Sequence, residues 1–268
     1  MSTPQDRKAK ARAADTSSGR GANAIIIGGL AIVVIMVLVL VFTIWRATSD
    51  GSDSAKGEQK LPTSVESGQP LQPYKDAEPA DDAPVVDVYE DFRCPICKAY
   101  EGAAGQTITK LAEQGKIKLR VHLMTVIDAN TGGHSSAVAG SSAVCALEQD
   151  KWTEYHRALF ELQPSEENAE GFPESDYTKA AKEAGLSGKG LEKWQQCTDN
   201  QTYVDYVKSV DEAATKSGIN GTPATKVNGT QLDWTKLTDG QSLESFDTEK
   251  FAKILTNGKV PKDMVLQQ

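Results

Sequence analysis

Four cysteines and three histidines are all that the 268 residues offer to a soft metal ion, and they are not arranged to hold one. A structural zinc needs four ligands. Cys94 and Cys97 have no second C-x-x-C and no H-x-x-x-H to complete a set, and His122, His134 and His156 are scattered. No metal and no cofactor are therefore expected. Cysteine is also missing from the first 93 residues, so there is no lipobox. Basic residues are in deficit, 29 Lys and Arg against 37 Asp and Glu, a formal net charge of -8 that argues against nucleic acid as a partner. Residues 46–83 have few aliphatic side chains, and no internal repeat runs through the chain.

One long apolar run stands out against this background. Residues 24–45 form a nearly unbroken stretch, long enough to cross a bilayer as one transmembrane helix and too long for an ordinary signal-peptide core. The preceding segment, 1–23, carries Arg7, Lys8, Lys10, Arg12 and Arg20 against Asp6 and Asp15. That basic excess leaves the N-terminus in the cytoplasm and everything after Trp45 outside. A cleaved signal is the alternative. Residues 46–83, rich in Ser, Asp, Glu, Gly, Pro and Lys, read as a flexible tether with a mean reach of about 35 Å. The folded part is then 84–258, followed by a tail at 259–268.

All four cysteines fall on the exported side, where disulfides persist. Cys94 and Cys97 sit in Asp91-Phe92-Arg93-Cys94-Pro95-Ile96-Cys97, after the apolar residues 85–89 and at the start of a helical pattern. Free N–H groups and the positive end of the helix dipole stabilise an anion at such a position, so Cys94 is the expected attacking thiolate. Pro95 suits the first helical position and leaves Cys94 at the cap, on the exposed tip. Cys97 shares a face with Ala104, Ile108 and Leu111 and should be buried. An exposed thiol of low pKa beside a shielded partner suits disulfide exchange: one sulfur forms the mixed disulfide and the other resolves it. Lys98 is a candidate to stabilise the thiolate. The competing reading is a structural disulfide, which gains little from so short a loop.

The periodicity predicts an α/β fold: a strand at 85–89, a helix at 95–114 closed by Gly115, and a second strand at 117–126. Helical patterns follow at 135–162, 174–184, 191–194 and 203–217, a helical subdomain inserted at about 129–217. Strands at 224–227 and 230–234 flank an Asn228-Gly229 turn, and a last helix at 248–255 ends at Gly258. Thr222-Pro223 leads into the first of these strands, where proline is tolerated in either isomer. Cys145 and Cys197 lie in the helical region. An unpaired thiol there would be a liability near a redox site, so the two are expected to pair; an electron relay from Cys94 and Cys97 is the alternative.

The strand, the Asp-Phe-x-Cys-Pro-x-Cys run, the β-α-β unit, the helical insert and the Gly221-Thr222-Pro223 before a hairpin together resemble the DsbA family of thioredoxin-fold oxidoreductases, in particular its membrane-anchored Gram-positive members. The resemblance implies that Cys94 and Cys97 are the redox-active pair, that Pro95 and Ile96 support it, and that Pro223 is a cis-proline facing the sulfurs. It also implies that the Thr222 backbone hydrogen-bonds an extended substrate. Expected partners are unfolded exported polypeptides bearing thiols, and a DsbB-like or vitamin K epoxide reductase-like membrane protein that reoxidises the pair. A monomer is expected. Two departures stand out. The acid that many relatives carry six residues before the first cysteine, where it helps move the resolving cysteine's proton, falls on Val88, with Asp87 on the other strand face; Glu90 and Asp91 read as solvated loop charges, the alternative being that one of them substitutes. Ile96 also stands where oxidising enteric enzymes place His, which implies a less depressed Cys94 pKa and a less oxidising site.

Overall fold

The computed structural model describes residues 55–165, 170–240 and 242–266. The expected basic segment and membrane anchor lie outside the described residues, as does the start of the tether. Among the described residues no helix is long and apolar enough to cross a membrane.

Strand β1 (Val85–Glu90) runs parallel to β2 (Lys118–Leu123) and antiparallel to β3 (Ala224–Val227), which pairs with the short β4 (Thr230–Gln231). The sheet order is β2-β1-β3-β4. Between β1 and β2 the chain forms α1 (Pro95–Tyr100), a π-helical turn (Glu101–Gly105) and α2 (Gln106–Glu113). Between β2 and β3 come α3 (Val126–Thr131), α4 (Ser135–Leu147), α5 (Trp152–Glu161), α6 (Glu174–Glu183), α7 (Gly188–Asp199) and α8 (Val204–Lys216); α9 (Thr248–Asn257) follows the hairpin. This is a thioredoxin fold with extra helices inserted after β2.

Strand alternation sorts the interior into two parts. Val86 and Val88 join the main apolar core, whereas Tyr89 points into a smaller cluster with Met124, Ala214, Ile219 and Ala224. In β2 Leu119, Val121 and Leu123 are buried and Lys118, Arg120 and His122 are less so, the pattern of a half-covered strand. At the Asn228-Gly229 turn both residues have positive φ, as a two-residue hairpin with right-handed strand twist requires. The Asn228 side chain accepts from the Val85 N–H and donates to the Gly258 carbonyl, tying the turn to β1 and to the end of α9.

Helix α4 is buried nearly all round and is the axis of the insert. Its small residues allow close approach: a Cβ at Gly140 would sit 3.0 Å from Val207 of α8. Tyr155 of α5 donates to the Ser142 hydroxyl, and Trp194 of α7 donates to the Ser142 carbonyl. A Cys145–Cys197 disulfide, with Cα atoms 5.9 Å apart, joins α4 to α7.

Three features differ from the sequence expectation. The tether assigned to 46–83 is laid against the folded body from Ala55 on. Leu71 is fully buried and exchanges two backbone hydrogen bonds with Val121 at the β2 edge, Lys60 donates to the Thr202 carbonyl, and Thr63 is held by Glu148. Its polar composition hid a few anchors placed where they pair with backbone. Second, the predicted 135–162 helix is broken at Glu148–Lys151, where Asp150 takes a left-handed conformation that a short polar side chain tolerates. Third, β2 stops at Leu123. The Asp211 and Asp91 carboxylates accept the N–H groups of Thr125 and Ile127 and start α3 there instead.

The disulfide closes a loop with a sequence separation of 52. Replacing both Cys145 and Cys197 by Ser should therefore cost about 4 kcal/mol of unfolding free energy. Urea denaturation of the two proteins without reductant measures the difference; equal midpoints would mean that the bond constrains nothing.

Candidate active site

Cys94 ends the loop after β1 with extended backbone, φ -76° and ψ 117°, and Pro95 opens α1 directly behind it. The loop is held from two sides. The Asp91 carboxylate accepts from the backbone of Arg93 and of Ile127, and the Gln163 amide donates to the carbonyls of Phe92 (2.7 Å) and Cys94 (3.0 Å). Both anchors are buried. Phe92 packs on Phe160 beneath them, so the loop rests on α5.

Across the cleft, Thr222-Pro223 is a cis peptide, and the Thr222 carbonyl lies 3.6 Å from the Cys94 sulfur. Trp234 donates its ring N–H to the Pro223 carbonyl and packs on Tyr100, whose hydroxyl meets that of Thr225. The structure thus brings Cys94, Cys97, Thr222 and Pro223 together. Cys145 and Cys197 form the separate bond between α4 and α7.

Cys94 is not on an exposed tip. It is 6% exposed and recessed, while Ile96 beside it is 54% exposed and presents an apolar surface at the mouth of the cleft. The cover comes from Thr222 and Gln163, distant in sequence. Lys98 does not serve the sulfur either: its ammonium is bound to the carbonyls of Glu161 and Gln163 at the end of α5. Pro95 occupies the first turn without a donor to lose.

Both thiols are free of any disulfide in this state, and their surroundings drive them apart. A hydrogen bond from the Cys97 thiol, opposed by burial and assisted by the N–H groups of Cys97 and Ile96 and by Thr222, brings Cys94 down to about 6. Burial, with the neighbouring Cys94 anion, pushes the Cys97 thiol well up. The Ile96 side chain contributes no donor; the Cys97 thiol gives the largest stabilisation, and the N–H groups of the helix start add to it. A thiolate forms at one sulfur near neutral pH and the other keeps its proton. One can attack a disulfide while the other waits.

Two acids read as solvated in sequence are buried here. Glu90 and Asp91, expected as solvated loop charges, are 5% and 1% exposed. Burial lifts Asp91 to about 7 in spite of its hydrogen bonds. His156 is held by Glu90 at 2.7 Å and lies 3.7 Å from Glu101. Spacing alone could not have found this cluster, because its members come from β1, the π-turn and α5. On the opposite face of β1, Asp87 accepts from Arg120 and His122. Burial raises its pKa, but those partners outweigh burial and leave it below the ordinary aspartate value. Among the described residues no group of three or more His, Cys, Asp or Glu is placed to hold a metal ion.

Two sulfurs given opposite acidities at one helix start define a thiol-disulfide oxidoreductase. The chain belongs to the thioredoxin family, whose family model matches residues 80–244. It is 27% identical over 183 residues to disulfide bond formation protein D of Bacillus subtilis (strain 168), covering 68% of this chain and 75% of that one. Among solved structures it is similar to the reduced form of the disulfide bond oxidoreductase DsbG of Mycobacterium tuberculosis, with 26% identity, a TM-score of 0.50 and coverage of 78% and 86% of the two chains. The MdbA thiol-disulfide oxidoreductase of Actinomyces oris shares the fold, with a TM-score of 0.54, 23% identity and coverage of 75% and 95%.

The opposed acidities have a measurable sign. Alkylation of reduced protein should follow a pH profile with its midpoint near 6, set by Cys94. The folded Cys94 pKa lies below the unfolded value, so its stabilisation of the reduced fold is fully present above about 9 and is lost as pH falls through about 6. Reduced protein should accordingly gain stability relative to oxidised protein as pH rises across that window. Paired urea titrations check it; a constant difference would contradict the assignment.

Proposed function

We propose that this chain is a membrane-anchored extracytoplasmic enzyme that introduces disulfides into exported proteins. The observation that carries this reading is the stabilised Cys94 thiolate, because a dithiol stabilised in its reduced state is a strong oxidant as a disulfide. A substrate thiolate attacks Cys94 of the oxidised pair, and Cys97 departs. The substrate's second cysteine then attacks the substrate sulfur of the mixed disulfide, leaving the new disulfide in the substrate and the reduced pair in the enzyme. A DsbB-like or vitamin K epoxide reductase-like membrane protein takes the electrons away. Exposed Ile96 offers an apolar contact for unfolded chains, and the Thr222 backbone, facing Cys94, offers hydrogen bonds to an extended segment. The name of the Bacillus relative, a disulfide bond formation protein, supports the same direction. The anchor at 24–45 and the basic residues before it support placement of the catalytic domain outside the membrane.

Turnover with reduced, unfolded substrate tests the activity, with the residue roles read from two variants. Cys94→Ser should abolish disulfide formation, and Cys97→Ser should accumulate mixed disulfides; the swapped phenotypes would reverse the roles. In living cells, acid quenching and alkylation with a mass tag should find the wild-type pair mostly as the disulfide. A pair resting as the dithiol would make the enzyme a reductase.

Protease added to intact cells should remove the domain beyond Trp45 and spare the basic segment ahead of it. A soluble secreted species beginning beyond the apolar run would indicate a cleaved signal instead.

A further inference from the structure

Exchange at Cys94 leaves Cys97 with a problem of its own. Cys97 is 2% exposed and its thiol is held well above the ordinary range by burial. Whenever the Cys94–Cys97 bond opens, a poor leaving group has to depart into an apolar interior, and whenever the bond closes, a reluctant thiol has to lose its proton.

Cys97 lines a cavity of about 30 Å³, whose walls also include Glu90, Glu101 and His156. Space on that scale holds about two waters where polar groups line it. The three acid–base groups reach it from three elements, and the fold makes room for one of them. A Cβ at residue 105 would collide with the Glu101 carboxyl, so Gly105 vacates the niche that the carboxyl fills. Glu101 and Gly105 are the two ends of the π-turn, a distortion of helices that often marks functional positions. His156 lies between the Glu90 and Glu101 carboxylates.

We propose that Glu101, set over Gly105 and positioned by the His156 and Glu90 pair, is the proton donor and acceptor for Cys97 through this cavity. The proposal rests on dithiol exchange at Cys94 and Cys97 and holds whichever way net electrons flow. In the opening direction an external thiolate attacks the Cys94 sulfur, the Cys94–Cys97 bond breaks, and the departing Cys97 thiolate takes a proton from the Glu101 carboxyl by way of water. In closing, Glu101 takes that proton back. The Cys97 thiolate then attacks Cys94 of the mixed disulfide and expels the external sulfur as a thiolate. Each cycle returns Glu101 to its starting form by exchange with solvent.

The surroundings suit Glu101 to this task. Burial raises its carboxyl to about 7, with His156 and Arg157 of α5 opposing and Glu90 of β1 adding to the rise. Both forms are therefore populated near neutrality. Burial pulls His156 down, but the charges of Glu90 and Glu101 outweigh it and carry the ring to about 9, so it stays cationic and holds its place. Tyr74 and Tyr100 also face Glu101, and burial keeps both phenols protonated.

The test is reduction of the oxidised full-length chain by dithiothreitol across the neutral pH range, with rate constants corrected for the reagent's thiolate fraction. Cys94 does not titrate in that state. The wild-type constant should be highest with Glu101 protonated and fall through an inflection near 7. Glu101→Gln should remove the inflection and slow the low-pH limb about tenfold or more. Glu101→Asp should restore an inflection, and Gly105→Ala, which keeps every titrating group and displaces only the carboxyl, should remove it. Asp91 also titrates near 7 but does not line the cavity, and it is left in place in every variant, so its titration is common to all the profiles. A flat wild-type profile, or a Glu101→Gln profile like the wild type, would overturn the relay. Should Glu101→Gln fail to fold, the wild-type and Gly105→Ala profiles decide. A wild-type chain that dithiothreitol does not reduce at all would overturn the dithiol reading itself.

Discussion

Two sulfurs at one helix start cannot both be anions, and this constraint organises the site. The Cys97 thiol is the foremost donor to the Cys94 sulfur, and the N–H groups of Cys97 and Ile96 add to it. A charge on Cys97 would face the Cys94 anion in a buried setting with few donors left. The rest of the local structure keeps that asymmetry in place. Asp91 and Gln163 fix the loop that sets where Cys94 sits, and Trp234 fixes the Pro223 carbonyl on the far wall of the cleft. None of these groups needs to touch a substrate to matter, because a small shift of the loop would take the sulfur away from its donors.

Much of this was legible in the residue order. Alternation in 118–123 marked the half-covered strand, and Asn228-Gly229 marked the hairpin. The spacing of Cys97, Ala104, Ile108 and Leu111 marked the buried face of the helix after β1. What stayed hidden depends on contacts between distant segments. Leu71 looks like one apolar residue in a polar stretch until Val121 pairs with its backbone. Cys94 looks exposed until Thr222 and Gln163 close over it. Glu90 looks like a loop charge because strand β1 ends on it, and only His156, 66 residues away, gives it a partner. The break at Asp150 is a local event, but one that helical periodicity runs straight across.

Strand β1 carries acids of two kinds on its two faces. Asp87 has a guanidinium and an imidazole to itself and is locked as an anion. Glu90 shares one imidazole with Glu101, so two carboxyls compete for one cation and the excess falls on Glu101. The difference is one of stoichiometry: one carboxylate with two basic partners against two carboxyls with one. A period of two along the strand keeps the inert cluster away from the responsive one, which lies on the face that leads to Cys97.

The Leu71 bridge also bears on what the sheet refuses to do. An exposed edge strand offers unpaired N–H and C=O groups to any extended chain that drifts past. Here the β2 edge is partly occupied by the protein's own leading segment, and the opposite edge, β4, is two residues long. Neither border is a good template for indiscriminate pairing. The cleft differs from both borders, because there a free-standing backbone carbonyl, that of Thr222, lies beside the Cys94 sulfur.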